Sequence, residues 1–157
     1  GGCPGTRMRF SAEPAAAPAA APVPVGAGLP PKVNPSELRQ WPIQIHLVQP
    51  GAPFFRNKEL VVMNTCGPLA SADVHWRFLR GRSVVVGCPK LDRTEPYAAK
   101  LAAILGDPSI PKVIVVRMEV PCCGGLTAIV RQAVEMCGRT DLQFEEVTLS
   151  LDGEVMG

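Results

Sequence analysis

The stretch that decides the fold is residues 113–138, which read VIVVRMEVPCCGGLTAIVRQAVEMCG. Its first four residues are all apolar, which is typical of a strand buried on both faces of a sheet. The apolar residues of its second half are spaced as on one face of a helix: Leu126, Ile129, Val130, Ala133, Val134 and Cys137. Gly138 is placed to end that helix. The stretch therefore predicts a buried strand, a tight loop with two cysteines and an amphipathic helix.

The same pattern of strand, turn and helix occurs twice upstream. The apolar run at residues 60–63 and the run Ser83-Val84-Val85-Val86 predict two further buried strands, and each leads into a turn rich in Gly and Pro. A helix is predicted at residues 71–79, and another follows Thr94, which suits the N-cap position. Strands that alternate with helices favour right-handed β-α-β units and a parallel sheet.

Two more strands are predicted from strict alternation of apolar and polar residues, at residues 43–47 and 147–151. A strand with one wet face belongs at the edge of such a sheet, whereas the wholly apolar strands belong at its centre. The sequence thus predicts an α/β fold with three layers, α-β-α, and a mostly parallel sheet of about five strands.

The first part of the chain differs in composition from the rest. Residues 12–31 consist almost wholly of Ala, Pro, Val and Gly, which favours an extended, disordered linker. We expect residues 1–10 to be the remnant that follows a missing upstream module, residues 11–37 to be the linker, and residues 38–157 to be the α/β domain.

Composition narrows the class of protein. Hydrophobic residues make up 46% of the 157 residues, and the net charge is only +2, which favours neither nucleic acid nor an anionic membrane surface as a partner. The sequence shows no signal peptide and no apolar run near the ~20 residues of a membrane span. We therefore expect a cytoplasmic protein, in which six cysteines indicate metal or redox chemistry rather than disulfides.

Four of the cysteines follow the three predicted buried strands: Cys66, Cys88, Cys122 and Cys123. Parallel strands share one C-terminal edge and lie about 4.8 Å apart, so adjacent strands would bring the four sulfurs within roughly 10 Å. Ligands bind at that edge in open α/β sheets, and thiolates suit iron–sulfur clusters or zinc. We predict a shared cofactor or metal site there, with Cys137 in the core and Cys3 in the tail.

Two neighbours of these cysteines bear on the chemistry. Cys123 directly precedes the predicted helix at Gly124, and a helix N-terminus is expected to lower the pKa of the thiol. Asp92 follows Cys88 closely and is a candidate either for capping the next helix or for contact with the site. The alternative that buried cysteines simply fill space stays open, because cysteine is a common core residue.

Several motifs together resemble a family of ferredoxin-type 4Fe-4S iron–sulfur proteins of anaerobic bacteria. They are Trp41-Pro42-Ile43-Gln44, Cys66, Val86-Gly87-Cys88-Pro89-Lys90-Leu91-Asp92 and Met118-Glu119-Val120-Pro121-Cys122-Cys123. In that family a ferredoxin module, a linker and an α/β domain follow one another. The resemblance implies the C-terminal α/β domain of such a protein, with the ferredoxin module itself absent from this sequence. It also implies an upstream ferredoxin module and a redox partner protein as partners.

The function predicted from these features is that of an iron–sulfur or redox accessory domain in an electron-transfer protein, rather than an enzyme. A 4Fe-4S cluster is the expected cofactor, held by the four strand-end cysteines. One alternative is a zinc-binding or structural module that docks a partner. The other is a cysteine-dependent enzyme of sulfur transfer or redox chemistry, with Cys122 or Cys123 as nucleophile.

Overall fold

The computed structural model of the protein describes residues 22, 24–28 and 35–156. Its sheet has five strands: β1 (Leu60–Asn64), β2 (Ser83–Gly87), β3 (Lys112–Met118), β4 (Gln143–Leu149) and β5 (Val155–Met156). The spatial order is β2-β1-β3-β4-β5, and the first four strands are parallel. The predicted α/β fold with a mostly parallel, five-stranded sheet is confirmed.

Three α-helices accompany the strands: α1 (Gly67–Ala70), α2 (Tyr97–Leu105) and α3 (Gly124–Cys137). One π-helical turn, His75–Leu79, lies between α1 and β2, and one 3-10 turn, Pro121–Cys123, leads from β3 into α3. Among the described residues no helix has the length and apolar character needed to cross a membrane.

The core lies on both faces of the sheet because successive apolar residues of the central strands point to opposite faces. In β1, Leu60 and Val62 face the cluster formed with α2 and α3. Val61 and Met63 face the opposite cluster, which includes Phe78 from the π-helical turn. Burial on both faces explains why β1 shows no alternation in sequence, and the two covering layers give the predicted three-layer arrangement.

Helix α3 forms for the reason that its apolar spacing indicates. Leu126, Val130 and Ala133 are fully buried, while Ile129, Val134 and Cys137 pack partly buried against the same cluster. Its last turn ends at Gly138, which adopts a left-handed conformation with φ of 68°. The predicted helix and its buried face are confirmed.

We expect Leu126→Ala to lower the free energy of unfolding by about 2–5 kcal/mol, because Leu126 is fully buried where α3 meets the sheet. Met136→Ala is the matched control on the same helix, since the Met136 side chain is 52% exposed. Urea titration followed by circular dichroism measures both. Equal losses in the two variants would contradict the packing described for α3.

Two predicted elements differ in the structure. Residues 43–47 are not an edge strand, because only Gln44 bridges to Val86 and the chain then turns. The helix predicted at residues 71–79 is replaced by the short α1 and the separate π-helical turn. The outer edge of β2 is instead covered by Gln40, whose amide bonds both the N–H and the C=O of Val84.

The edge strands also depart from expectation. The fully buried β2 lies at one edge of the sheet, and the antiparallel β5, which the sequence did not predict, lies at the other. Of the strand predicted at residues 147–151, only residues 147–149 are in a strand, as the last three residues of β4, which begins at Gln143.

The N-terminal boundary is visible only in part. The predicted remnant at residues 1–10 and most of the predicted linker, residues 11–37, lie outside the described residues. Residues 24–28 are exposed, but Glu37 already contacts the domain. Its N–H donates to His75 Nδ1 at 3.1 Å, and its carboxylate pairs with Arg80 at 3.0 Å.

Candidate functional site

The cysteine-bearing loops leave three neighbouring strands at one edge of the sheet. β1 lies between β2 and β3 and is parallel to both, so all three strands end on the same side. Cys66 follows β1, Cys88 directly follows β2, and Cys122 and Cys123 lie in the 3-10 turn that follows β3. The strand order reverses at β1, and such switch points are where open α/β sheets bind ligands.

All four cysteines line one cavity of about 250 Å³ at this edge. The other lining residues come from the same strand ends and from the segment after β4: Asn64, Thr65, Lys90, Leu91, Met118, Val120 and Leu151. Apolar side chains and thiols thus form most of the wall, and Lys90 is its one charged lining residue among those the structure describes. A mostly apolar wall with few polar groups is typical of a cofactor pocket.

The four thiols differ in their access to solvent. Cys66 is exposed, Cys88 and Cys122 are half-buried, and Cys123 is buried. All are free thiols, as is Cys137. The cavity therefore runs from an exposed cysteine at its mouth to a buried one at its base.

Cys123 lies at the N-terminus of α3 as predicted, but its thiol does not have the predicted acidity. Burial raises the pKa of the Cys123 thiol, and the neighbouring thiols of Cys122 and Cys66 add to that increase. The prediction of a lowered Cys123 pKa is wrong. Burial removes the thiolate from water, and this costs more free energy than the helix N-terminus supplies by stabilising the negative charge. The raised pKa favours the neutral thiol of Cys123 over the thiolate.

The four cysteines line the cavity without forming the ligand set of a single metal ion. Among the described residues, no group of three or more His, Cys, Asp or Glu side chains is arranged to hold a metal ion. A mononuclear zinc site needs four ligand atoms about 2.3 Å from one centre when they are sulfurs. The four thiols as they stand do not form such a site.

Comparison with known proteins agrees with this architecture. The family model of the Rossmann-like domain matches residues 52–157. The chain belongs to this family. An uncharacterized protein of Archaeoglobus fulgidus is 34% identical over 119 residues, which cover 76% of this chain and 83% of that protein. No solved structure gives a significant match.

In this Rossmann-like domain, the loop of Cys88 is held in place by Asp92. One carboxylate oxygen of Asp92 accepts a hydrogen bond from the Cys88 N–H at 2.8 Å and another from the Tyr97 hydroxyl. The Leu91 N–H points to Cys88 Sγ at 3.4 Å. Burial, together with the bond to Asp92, raises the pKa of Tyr97, so the hydroxyl keeps its proton and remains a donor. Asp92 thus supports the site by fixing the loop.

The loops after β2 and β3 also contact each other through small residues. A methyl group built at Gly125 would lie 3.1 Å from Pro89 Cβ, and one built at Gly87 would lie 3.0 Å from Ile45 Cδ1 and 3.1 Å from Tyr97 Cε2. Gly125 therefore lets the start of α3 approach the Cys88 loop closely, whereas Gly87 leaves room for Ile45 and Tyr97. That close approach brings Cys88 and Cys122 to the same cavity wall.

Sequence reasoning missed Asn64, the last residue of β1. Asn64 is 2% exposed and lines the cavity beside the cysteines. Its Nδ2 lies 3.5 Å from Cys123 Sγ, and its Oδ1 has no hydrogen-bond partner among the described residues. A polar residue that directly ends an apolar strand is the one sequence signal that could have identified it.

Cys137 stands apart from the cavity lining. Cys137 lies at the end of α3, where its Sγ donates to the Val134 carbonyl at 3.1 Å, consistent with the predicted core position. Cys3 lies outside the described residues. Glu119, which precedes Val120, accepts a hydrogen bond from the Leu151 N–H at 3.0 Å and so ties the β3 loop to the segment after β4.

We expect Asp92→Ala to lower the free energy of unfolding by about 1–3 kcal/mol, because the Cys88 N–H and the Tyr97 hydroxyl both lose their acceptor. Tyr97→Phe, which leaves the bond to Cys88 in place, should cost only about 0.5–1.5 kcal/mol. Chemical denaturation of the metal-free protein compares the two. A loss in Tyr97→Phe as large as that in Asp92→Ala would show that the bond to Cys88 contributes nothing.

Proposed function

We propose that this Rossmann-like domain binds an iron–sulfur cluster through Cys66, Cys88, Cys122 and Cys123 and serves as a redox accessory domain of an electron-transfer protein. The observation that carries the proposal is the cavity itself, which is lined by four free thiols from three separate loops. Packing alone gives no reason to gather thiols at the strand-end loops, which are ordinarily the wettest part of such a sheet.

The shape of the site favours a cluster over a single zinc ion. A 4Fe-4S cluster takes one thiolate on each of four irons, so its ligands surround a body several atoms wide. Thiols that line a 250 Å³ cavity without converging on one point match that requirement better than they match a tetrahedral ion. The donor set and the space available therefore both fit the cluster.

The rest of the wall suits electron transfer. When bound, a cluster of this kind gains and loses single electrons, and burial in an apolar shell helps to set its potential. Met118 and Leu151 supply part of that shell, and Lys90 places a positive charge near the thiolates. Exposed Cys66 marks the side from which electrons would enter or leave.

The motifs quoted above support the same function, because their set resembles ferredoxin-type 4Fe-4S proteins. On that basis we propose an upstream ferredoxin module and a redox partner protein as the partners. We also propose a cytoplasmic location, since a reducing compartment keeps the five thiols of the described residues free. The buried and protonated Cys123 argues against a thiolate nucleophile at that position.

Anaerobic reconstitution with ferrous iron and sulfide tests the proposal. We expect a brown protein with broad visible absorption and about four irons per chain. A colourless protein with one zinc per chain would support the zinc-binding module instead. A protein that binds neither metal, but whose Cys122 reacts rapidly with iodoacetamide, would favour the cysteine-dependent enzyme.

A further inference from the structure

Asn64 is a buried polar residue at the end of an apolar strand. The four residues before it in β1 are apolar and fully buried, as a central strand demands. Asn64 continues that strand at 2% exposure, yet its Oδ1 lacks a partner among the described residues. Buried amides without partners are rare, because they give up hydrogen bonds to water without replacing them.

The side chain of Asn64 spans two of the cysteine loops. On one side, Nδ2 donates toward Cys123 Sγ at 3.5 Å, a normal distance for a hydrogen bond to sulfur. On the other side, Oδ1 faces the turn after Cys66, where a methyl group built at Gly67 would lie 2.9 Å from it. The absence of a side chain at Gly67 therefore leaves room for the amide of Asn64.

We propose that Asn64 is a positioning residue of the cysteine cavity, which holds its amide N–H against Cys123 Sγ and thereby raises the reduction potential of the bound cluster. This inference rests on the proposed function. A donor aimed at a ligand sulfur stabilises the reduced, more negative state more than the oxidised state. The Cys123 sulfur is the most buried of the four, so water competes least for that hydrogen bond.

The test compares Asn64→Leu with Thr127→Val in the reconstituted protein. Leucine keeps the approximate size of the side chain and removes the donor. Thr127→Val removes a buried hydroxyl of α3 that also lacks a hydrogen-bond partner among the described residues but does not line the cavity. We expect both variants to bind the same amount of iron. Only Asn64→Leu should shift the reduced-to-oxidised ratio, by about tenfold at fixed ambient potential, or about 59 mV toward negative values for one electron.

A second variant, Gly67→Ala, tests the same inference if Asn64→Leu does not fold. Gly67→Ala retains the amide but places a methyl group within 2.9 Å of Oδ1, so it should displace Asn64 and lower the potential in the same direction. An unchanged potential in whichever of the two variants binds iron overturns the inference and leaves the cluster proposal intact. Failure of the wild-type domain to bind iron overturns both.

Discussion

Replacing Cys66 or Cys88 by serine should reduce the iron retained after reconstitution by at least about tenfold. Each substitution removes one of four thiolates, and even the loss of a group that only supports a ligand typically weakens metal binding by 10–100-fold. Both cysteines lie on the wall of the shared cavity, one exposed and one half-buried. Iron per chain after desalting, together with the visible absorption, measures the effect.

Cys137→Ser is the matched control, because Cys137 is a half-buried thiol that does not line the cavity. Its Sγ donates to the Val134 carbonyl, a bond that a serine hydroxyl can also make. The control should keep its iron, and all three metal-free variants should unfold at similar urea concentrations. Equal iron in Cys66→Ser, Cys88→Ser and the wild type would rule out the four-cysteine site.

The placement of the cysteine loops could be predicted because it depends on a few strong signals. Wholly apolar runs such as residues 60–63 identify buried parallel strands, and parallel strands necessarily end at a common edge. The spacing of Leu126, Val130 and Ala133 identifies the covering helix in the same way. The sequence therefore predicts strands β1, β2 and β3, helices α2 and α3, and the edge of the sheet at which the thiols lie.

The strand predicted at residues 43–47 is absent, because five residues of alternating polarity are too few to distinguish a strand from a turn. The N–H of Val48 bonds to the Gln44 carbonyl at 3.1 Å, so the chain turns there. Ile45 and Val48 are buried three residues apart, as a turn places them, while Leu47 is 60% exposed. Alternating residues in a single turn can thus imitate a strand.

The supporting residues of the site are harder to find because their roles depend on tertiary contacts. Asp92 could be read from sequence either as a helix cap or as a neighbour of the site, and only the bonds to Cys88 and Tyr97 decide between these roles. The acidity of Cys123 depends likewise on how deeply the loop is buried. Helix termini can be predicted from sequence, but the depth of burial at a loop cannot.

Gly153→Ala should strongly lower the free energy of unfolding, although Gly153 lies in a turn outside the cavity lining. Gly153 lies in the turn between β4 and β5 with φ of 85°, a conformation that costs a non-glycine residue about 1–2 kcal/mol. An added methyl group would also lie 2.0 Å from the Ala70 carbonyl oxygen, which is far inside van der Waals contact. Overpacking of this kind adds about 1–3 kcal/mol, so we expect a total loss of about 2–5 kcal/mol.

Gly138→Ala separates the conformational cost from the steric clash. Gly138 also has a positive φ, 68°, but nothing lies within 4 Å of a methyl group added there. It should lose only the conformational part, about 1–2 kcal/mol, in urea titrations of the metal-free protein. Since α1 follows Cys66 directly and Leu151 lines the cavity, Gly153→Ala should also weaken iron retention, which Gly138→Ala should not. Equal losses of stability in the two variants would show that the turn does not pack against Ala70.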